Sequence, residues 1–346
     1  MANFKSTFNT LQDRDFVLSN MTEGVLVFDG DKKIQMINQS GISYLDINVD
    51  NPVGLSLNEV IKDKNLQKYI SELFSSKTAQ KKEIRIKKNM DRFFLANGTI
   101  LGGVEPGFMV ILTDITKMKQ LEKIRQDFVA NVSHELKTPI TSIVGFLETI
   151  QQKDFPKEKR KPFLKKALKH SNRLNAIIDD LLWLSKIESM EDNDSFNLID
   201  QPLYDIITGS VDDIKTLKNK EDAKIEIFCD KFIQIKADGQ LLREAFFNLL
   251  DNAIKYGDSN RGVSISVKKD QKLILQFQNY GETIPVKYQE RIFHRFYRID
   301  KSRSRRQGGT GLGLAIVKHI IFVHGGEIYV RSDDTNGTNF IIELPL

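Results

Sequence analysis

The sequence predicts a multidomain α+β chain in three parts: a small antiparallel α/β unit, an antiparallel helical hairpin, and an α/β sandwich. Three observations predict it. The 346 residues suit two or three domains of roughly 100–200 residues each. The composition, 40% hydrophobic and 28% charged, is that of a chain that folds around apolar cores rather than a disordered one. The hydrophobic pattern also switches along the chain, from mixed to a long helical period and back to mixed.

The first part runs to about Thr116. Gly24–Phe28 reads as a strand, Asp29-Gly30-Asp31 as a tight turn, and Lys33–Asn38 as a second strand. Lys82–Lys88, Asp91–Leu101 and Gly107–Thr113 follow as strands, with short helices around Ser56–Phe74. From Asp114 the period is helical: Ile115, Met118, Leu121, Ile124, Phe128, Val132 and Leu136 recur every three or four residues, to about Gln152. A basic break, Lys153–Pro162, precedes a second amphipathic helix that carries Phe163, Ala167, Leu174, Ile178, Leu181 and Ile187. Two such helices form a hairpin, and a homodimer giving four helices is its natural completion. From about Phe196 strands and helices mix again. Strands are expected at Lys224–Phe228, Phe232–Ala237, Val263–Lys268, Leu273–Gln278, Glu327–Arg331 and Asn339–Leu344, with helices at Leu241–Tyr256 and Leu314–Val323.

Composition excludes several classes. No run approaches the ~18 apolar residues of a membrane span; the best, Ala315–Val323, is broken by Lys318 and His319. Met1–Thr10 lacks the apolar centre of a secretory signal. The single Cys229 rules out an internal disulfide framework and fits a reducing, cytoplasmic setting. A net charge of +5 is too balanced to argue for a nucleic-acid partner. Of five histidines, none precedes His134.

His134 lies in Ser133-His134-Glu135-Leu136-Lys137-Thr138-Pro139 on the first long helix. It is two residues from the stripe residues Val132 and Leu136, roughly 200° of rotation, so it points away from the core. Glu135 can accept a hydrogen bond from one ring nitrogen and leave the other as a nucleophile. Thr138 shares the face one turn on, and Pro139 bends the helix just beyond. Phe128–Pro139 closely resembles the phospho-acceptor segment of the sensor histidine kinases. The resemblance implies that His134 takes the γ-phosphoryl group of ATP. It also implies that Glu135 assists and that Thr138 positions water for the reverse, phosphatase reaction.

In the last part, Asn248 and Asn252 are four apart on one helix face, where an amide oxygen can ligate Mg²⁺. Lys255 can meet phosphate as a point charge. Arg291–Arg298 precedes a basic stretch, Lys301–Arg306, and then Gly308-Gly309-Thr310-Gly311-Leu312-Gly313-Leu314. Glycines let backbone N–H groups approach phosphate at a helix start, although a glycine run alone reads equally as a hinge. No strand precedes it as in a dinucleotide fold, and no Lys-Ser/Thr pair closes it as in a P-loop.

Together these segments resemble the ATP-binding domain that the same kinases share with type II topoisomerases and mismatch-repair ATPases. The resemblance puts Asn248, Asn252, Lys255 and Tyr256 in an asparagine motif, with Mg²⁺ on Asn252. It puts Phe293 and Phe296 in a mobile lid, with Arg298 and Lys301 beside the nucleotide. It assigns Gly309, Gly311, Leu312, Gly313 and Leu314 to the glycine loop, and Thr338, after Gly337, to the last motif. Hydrolytic relatives carry Glu where Asn248 stands, and an amide cannot serve as a general base for water. One motif departs. The family's Asp-x-Gly-x-Gly is Asn279-Tyr280-Gly281-Glu282-Thr283 here, followed by Ile284. Asn279 keeps an acceptor for adenine but loses the charge, so weaker ATP binding is expected than in an Asp-bearing relative.

The first part is similar to a PAS domain, through Met21–Phe28 and Gly107–Lys117. The expected organisation is an N-terminal segment 1–12, a PAS-like domain 13–116, a signalling helix with phosphotransfer hairpin 117–190, and an ATP domain 196–346. Within the family the chain is most similar to phosphate-regulon sensor kinases or their cell-wall-sensing cousins. That resemblance implies an aspartate of a response-regulator receiver domain as partner. Such kinases are usually membrane-tethered, so a cytoplasmic portion of an anchored kinase is one reading. The alternatives are a GHKL-type ATPase and a catalytically degenerate dimeric scaffold, which Asn279 and Thr283 keep open.

Overall fold

The computed structural model describes residues 11–87, 91–102, 107–192, 196–217, 222–300 and 309–346. The chain divides into two compact units, 1–127 and 128–346.

In the first unit the order is α1 (Leu11–Asn20), β1 (Gly24–Phe28), β2 (Ile34–Ile37), α2 (Gln39–Leu45), α3 (Leu57–Val60), α4 (Lys64–Ser76), β3 (Gln80–Ile86), β4 (Arg92–Leu101) and β5 (Gly107–Asp114). The strands form one antiparallel sheet in the order β2-β1-β5-β4-β3. The expected strands appear, with ends that differ by no more than two residues. Side chains fill the space between α4 and the sheet: Leu26, Phe28, Tyr69, Phe94 and Leu112 are fully buried, and Phe74 stacks on Phe108 at 3.9 Å. The buried Tyr69 hydroxyl donates to the Gln80 carbonyl at 2.7 Å, which satisfies its polar end. Asn38 caps α2 and accepts the Val25 N–H at 2.8 Å, tying helix to sheet. At the sheet's exit Asp114 accepts the Thr116 N–H at 2.9 Å and pairs with Arg92 at 2.8 Å. The next helix, α5 (Thr116–Gln151), therefore starts from a fixed point on β4 and β5.

The second unit holds the rest of α5 and α6 (Lys157–Asp192), the two arms of the hairpin. The break between them is shorter than the sequence suggested. Pro162 sits inside α6, where it forfeits one backbone bond near the helix start. Pro139 likewise lies buried inside an α5 assigned as one helix.

Then come β6 (Ile199–Pro202), α7 (Leu203–Leu217), β7 (Ile225–Phe228), β8 (Gln234–Ala237), α8 (Gly239–Tyr256), β9 (Val263–Lys269), β10 (Leu273–Asn279), α9 (Val286–Gln289), a 3₁₀ turn at Arg291–Phe293, α10 (Gly313–Val323), β11 (Glu327–Asp333) and β12 (Gly337–Leu344). The sheet order is β11-β12-β10-β9-β7, with only β7 running parallel to its neighbour, and β6 pairs with β8 apart from it. α8 packs against both α7 and α10, and one apolar core joins these helices to the sheet. α1, α2, β6, α7 and α9 were not expected from the sequence.

Candidate functional site

The asparagine residues ride on α8, whose start is held firmly. Asp238 caps it, accepting the N–H groups of Gln240 and Leu241 at 3.1 and 3.2 Å. The Asp238 N–H in turn donates to His324 Nε2 at 3.0 Å, while His324 Nδ1 lies 2.7 Å from the Ile320 carbonyl. Only the tautomer with its proton on Nδ1 satisfies both. Burial pushes the His324 pKa down, against a smaller upward pull from the Ile320 carbonyl.

Further along, Asn248 Nδ2 donates to the Glu244 backbone carbonyl at 3.1 Å and to its carboxylate at 2.7 Å. Both partners are acceptors, so the amide orientation is settled and Oδ1 faces the start of α10. A Cβ on Gly313 would lie 2.6 Å from that oxygen, so the glycine loop seats directly on Asn248. The half-buried Asn252 amide makes no hydrogen bond among the described residues. Lys255, expected to wait for phosphate, instead pairs with Asp251 one turn earlier. Tyr256 is partly exposed at the helix end, and Gly257 bridges to Gly281. Any Cβ on Gly281 would sit 2.0 Å from the Tyr256 carbonyl, so only glycine fits.

Asn279 ends β10 opposite Thr338 of β12. It is 3% exposed, and its side-chain amide has no hydrogen bond among the described residues. Thr338, 4% exposed, meets Ser332 Oγ at 2.7 Å, and Ser332 Oγ accepts the Ile284 N–H at 2.9 Å. Thr283 bonds Asp334 of the β11–β12 turn. The residue that replaces a glycine thus clasps the loop to its neighbour.

The glycine loop is braced by the lid. Phe296 and Gly311 both have left-handed backbone, φ 61° and 80°, and the Phe296 N–H donates to the Gly311 carbonyl at 2.8 Å. Arg298 bonds the Gly309 carbonyl. Leu312 is buried in the core and Leu314 packs at its edge. Phe293, expected with Phe296 in the lid, is set inward. It is buried and packs edge-on against Phe340 at 6.3 Å, anchoring the lid's base. Lys301 lies outside the described residues.

His134 stands exposed on α5, and the Thr138 hydroxyl donates to its backbone carbonyl at 3.0 Å. Glu135 meets other groups than the expected one. Its carboxylate does not orient the His134 ring. It accepts from Arg173 of α6 at 2.7 Å and lies 3.5 Å from Arg298 of the lid. Phe296 packs on Phe128, centroids 6.0 Å apart, and Arg295 lies over the same ring while bonding Glu188 at 2.6 Å. The lid is therefore docked on the helix that carries the histidine. Sequence reading missed Arg173, Glu244, Asp251 and His324. Each acts through a partner distant in the chain or one helical turn away, and only the i, i+4 pairs Glu244/Asn248 and Asp251/Lys255 left a visible signal.

The residues fit a purine nucleotide: a buried amide without a protein partner, and a glycine loop at a helix start. They also fit Mg²⁺. Among the described residues no cluster of His, Cys, Asp or Glu could hold a metal alone. Mg²⁺ commonly takes one or two protein oxygens and completes its shell with phosphate and water, which the free Asn252 amide suits.

Family models match the chain in three places. Residues 12–115 match the PAS fold, 124–189 the His Kinase A (phospho-acceptor) domain, and 237–346 the Histidine kinase-, DNA gyrase B-, and HSP90-like ATPase. Sensor protein kinase WalK of Staphylococcus aureus (strain MRSA252) is 29% identical over 341 residues, covering 96% of this chain and 55% of that protein. Another Staphylococcus aureus WalK is 29% identical over 341 residues and is covered over 80% of its length. The chain thus spans about half the length of most of these curated relatives. Among solved structures, histidine kinase ThkA in complex with response regulator protein TrrA is 21% identical, covers 96% of this chain and 97% of that one, and has a TM-score of 0.45. No helix among the described residues is long and apolar enough to cross a membrane. The chain thus carries a PAS fold, a His Kinase A (phospho-acceptor) domain and a histidine kinase-type ATPase domain in that order, and is similar to sensor histidine kinases over nearly its whole length.

Proposed function

We propose that this chain is a protein-histidine kinase that transfers the γ-phosphoryl group of ATP to His134 and then to an aspartate of a response-regulator receiver domain. One observation carries the reading: the nucleotide lid is seated at Phe128, six residues or roughly 9 Å along the helix from the exposed His134. A His134 ring nitrogen attacks the γ-phosphorus, the N–P bond forms as the bond to the bridging oxygen breaks, and ADP leaves. Arg298 and the backbone N–H groups at the start of α10 stabilise charge on the transferring group. Asn252 would hold Mg²⁺ together with the phosphates, where the ion neutralises their charge. Lys255 reaches phosphate only by leaving Asp251. Glu135 must likewise leave at least Arg298 before it can assist the His134 ring.

Thr138 supports a phosphatase role, since its hydroxyl lies one turn from His134 and needs only a rotamer change to face water. Dimerisation is supported by the apolar side chains left exposed on the hairpin, among them Val144, Leu147, Leu168 and Leu182. The test is incubation with γ-labelled ATP. Acid-labile, base-stable label that is lost in His134→Ala supports the kinase. Inorganic phosphate without label supports an ATPase, and neither supports a scaffold.

A further inference from the structure

We infer that Asn279 broadens the nucleotide substrate from ATP to purine nucleoside triphosphates with either an amino or an oxo group at C6. This rests on the ATP-site reading above and deepens it. Three observations on the floor of the pocket carry it.

Asn279 is buried at the end of β10, yet no protein group fixes its amide. Asn248, by contrast, is locked by two acceptors. Asn279 can therefore present Oδ1 or Nδ2 to a ligand by a simple flip. Second, the Thr338–Ser332 hydroxyl pair beside it is reversible. Ser332 already accepts the Ile284 N–H, so it retains one proton and one lone pair, and either hydroxyl can donate to the other. Thr338 can then offer the ligand a donor or an acceptor. Third, the site is preformed. Gly281 lies under the Tyr256 carbonyl and Thr283 is clasped to Asp334, so the loop need not rearrange for either base.

Adenine presents a donor at N6 and an acceptor at N1. A 6-oxopurine presents the reverse, an acceptor at O6 and a donor at N1. A carboxamide complements both edges in its two orientations, whereas a carboxylate only accepts and would face O6 lone pair to lone pair. Loss of the charge at this position weakens the hold on adenine and at the same time removes the repulsion that excludes the oxo base.

The experiment compares ATP with ITP, which differs from ATP only at the C6 edge, on the full chain. The readout is kcat/KM for labelling of His134 by each γ-labelled nucleotide, in the native chain and in Asn279→Asp. The expected ATP-to-ITP ratio is within about tenfold for the native chain and at least roughly tenfold wider in the variant, with the loss falling on ITP. A native ratio beyond tenfold overturns the inference while leaving the kinase reading intact. This holds even if the variant fails to fold. A narrow native ratio that the variant does not widen overturns the role of Asn279. If neither nucleotide labels His134, the kinase reading itself fails and the inference with it.

Discussion

His324 shows how one proton position supports a distant site. Its neutral ring accepts from the Asp238 N–H and donates to Ile320, and a second proton on Nε2 would meet that N–H head on. Burial holds its pKa below the usual histidine value, so the unfolded chain binds protons more readily. Stability from this residue is therefore present above pH about 6.5 and declines as pH falls below it. Thermal unfolding followed from pH 7.5 down to 5.5 is expected to show that decline. His324→Gln, which can keep both hydrogen bonds without titrating, is expected to flatten it. His170, lowered chiefly by burial, adds a slope of the same sign that remains in the variant. At Gly281 the expectation is steeper. Gly281→Ala drives a methyl group into the Tyr256 carbonyl, and titration with an ATP analogue is expected to show binding lost at least tenfold. These residues also mark how far the sequence reached. His134, the asparagines and the glycines were legible because their chemistry is carried by residue type at fixed spacing. The partners of Glu135 were not, because Arg173 and Arg298 lie 38 and 163 positions away along the chain.

At the level of elements, α8 depends on its cap. Asp238→Ala is expected to cost about 1 kcal/mol and to lower the melting temperature by roughly 2–4 °C, read by calorimetry. α5 makes a different prediction. It starts at the Asp114–Thr116 clasp and runs without a break to His134. One residue inserted near Gln120 turns everything beyond it by roughly 100°. The balance between labelling of His134 and dephosphorylation of the regulator is expected to shift, and an unchanged balance would count against transmission by rotation. Strands and long helices were legible from their periods, down to a few residues at the ends. α7 was not, although Leu203, Ile206, Ile207, Val211 and Ile214 follow the helical period. The central Thr208-Gly209-Ser210 reads as a turn in isolation, and packing against α8 overrides it. Pro162 misled in the same way, since proline is tolerated near a helix start.

For the whole molecule, the apolar side chains exposed on the hairpin are the surface on which the proposed dimer rests. Leu168 and Leu182, 61% and 64% exposed, are four turns apart on α6 and share a face that no element among the described residues covers. Sedimentation is expected to find a dimer of the 39.7 kDa chain, and Leu182→Glu is expected to shift it toward monomer. The three-part order was legible because each part has its own hydrophobic period. The seating of the lid on α5 was not, because it rests on contacts between residues far apart in the chain, such as Phe128–Phe296 and Glu135–Arg298.

Those contacts are not alone: Leu184 and Ile187 of α6 are buried in the same apolar core as α7, α8 and α10, and only a short stretch of chain follows α6. Only six residues separate the end of α6 at Asp192 from β6 at Ile199, a tether of about 20 Å at full stretch. So short a leash holds the ATP-type domain near the hairpin at a millimolar effective concentration. Docking is then half complete with an interface of millimolar strength, roughly 4 kcal/mol. The shared core adds to that hold, so the domain is packed on α6 as well as tethered to it. Any movement of the lid off α5 therefore has to leave Leu184 and Ile187 covered, or expose both to water.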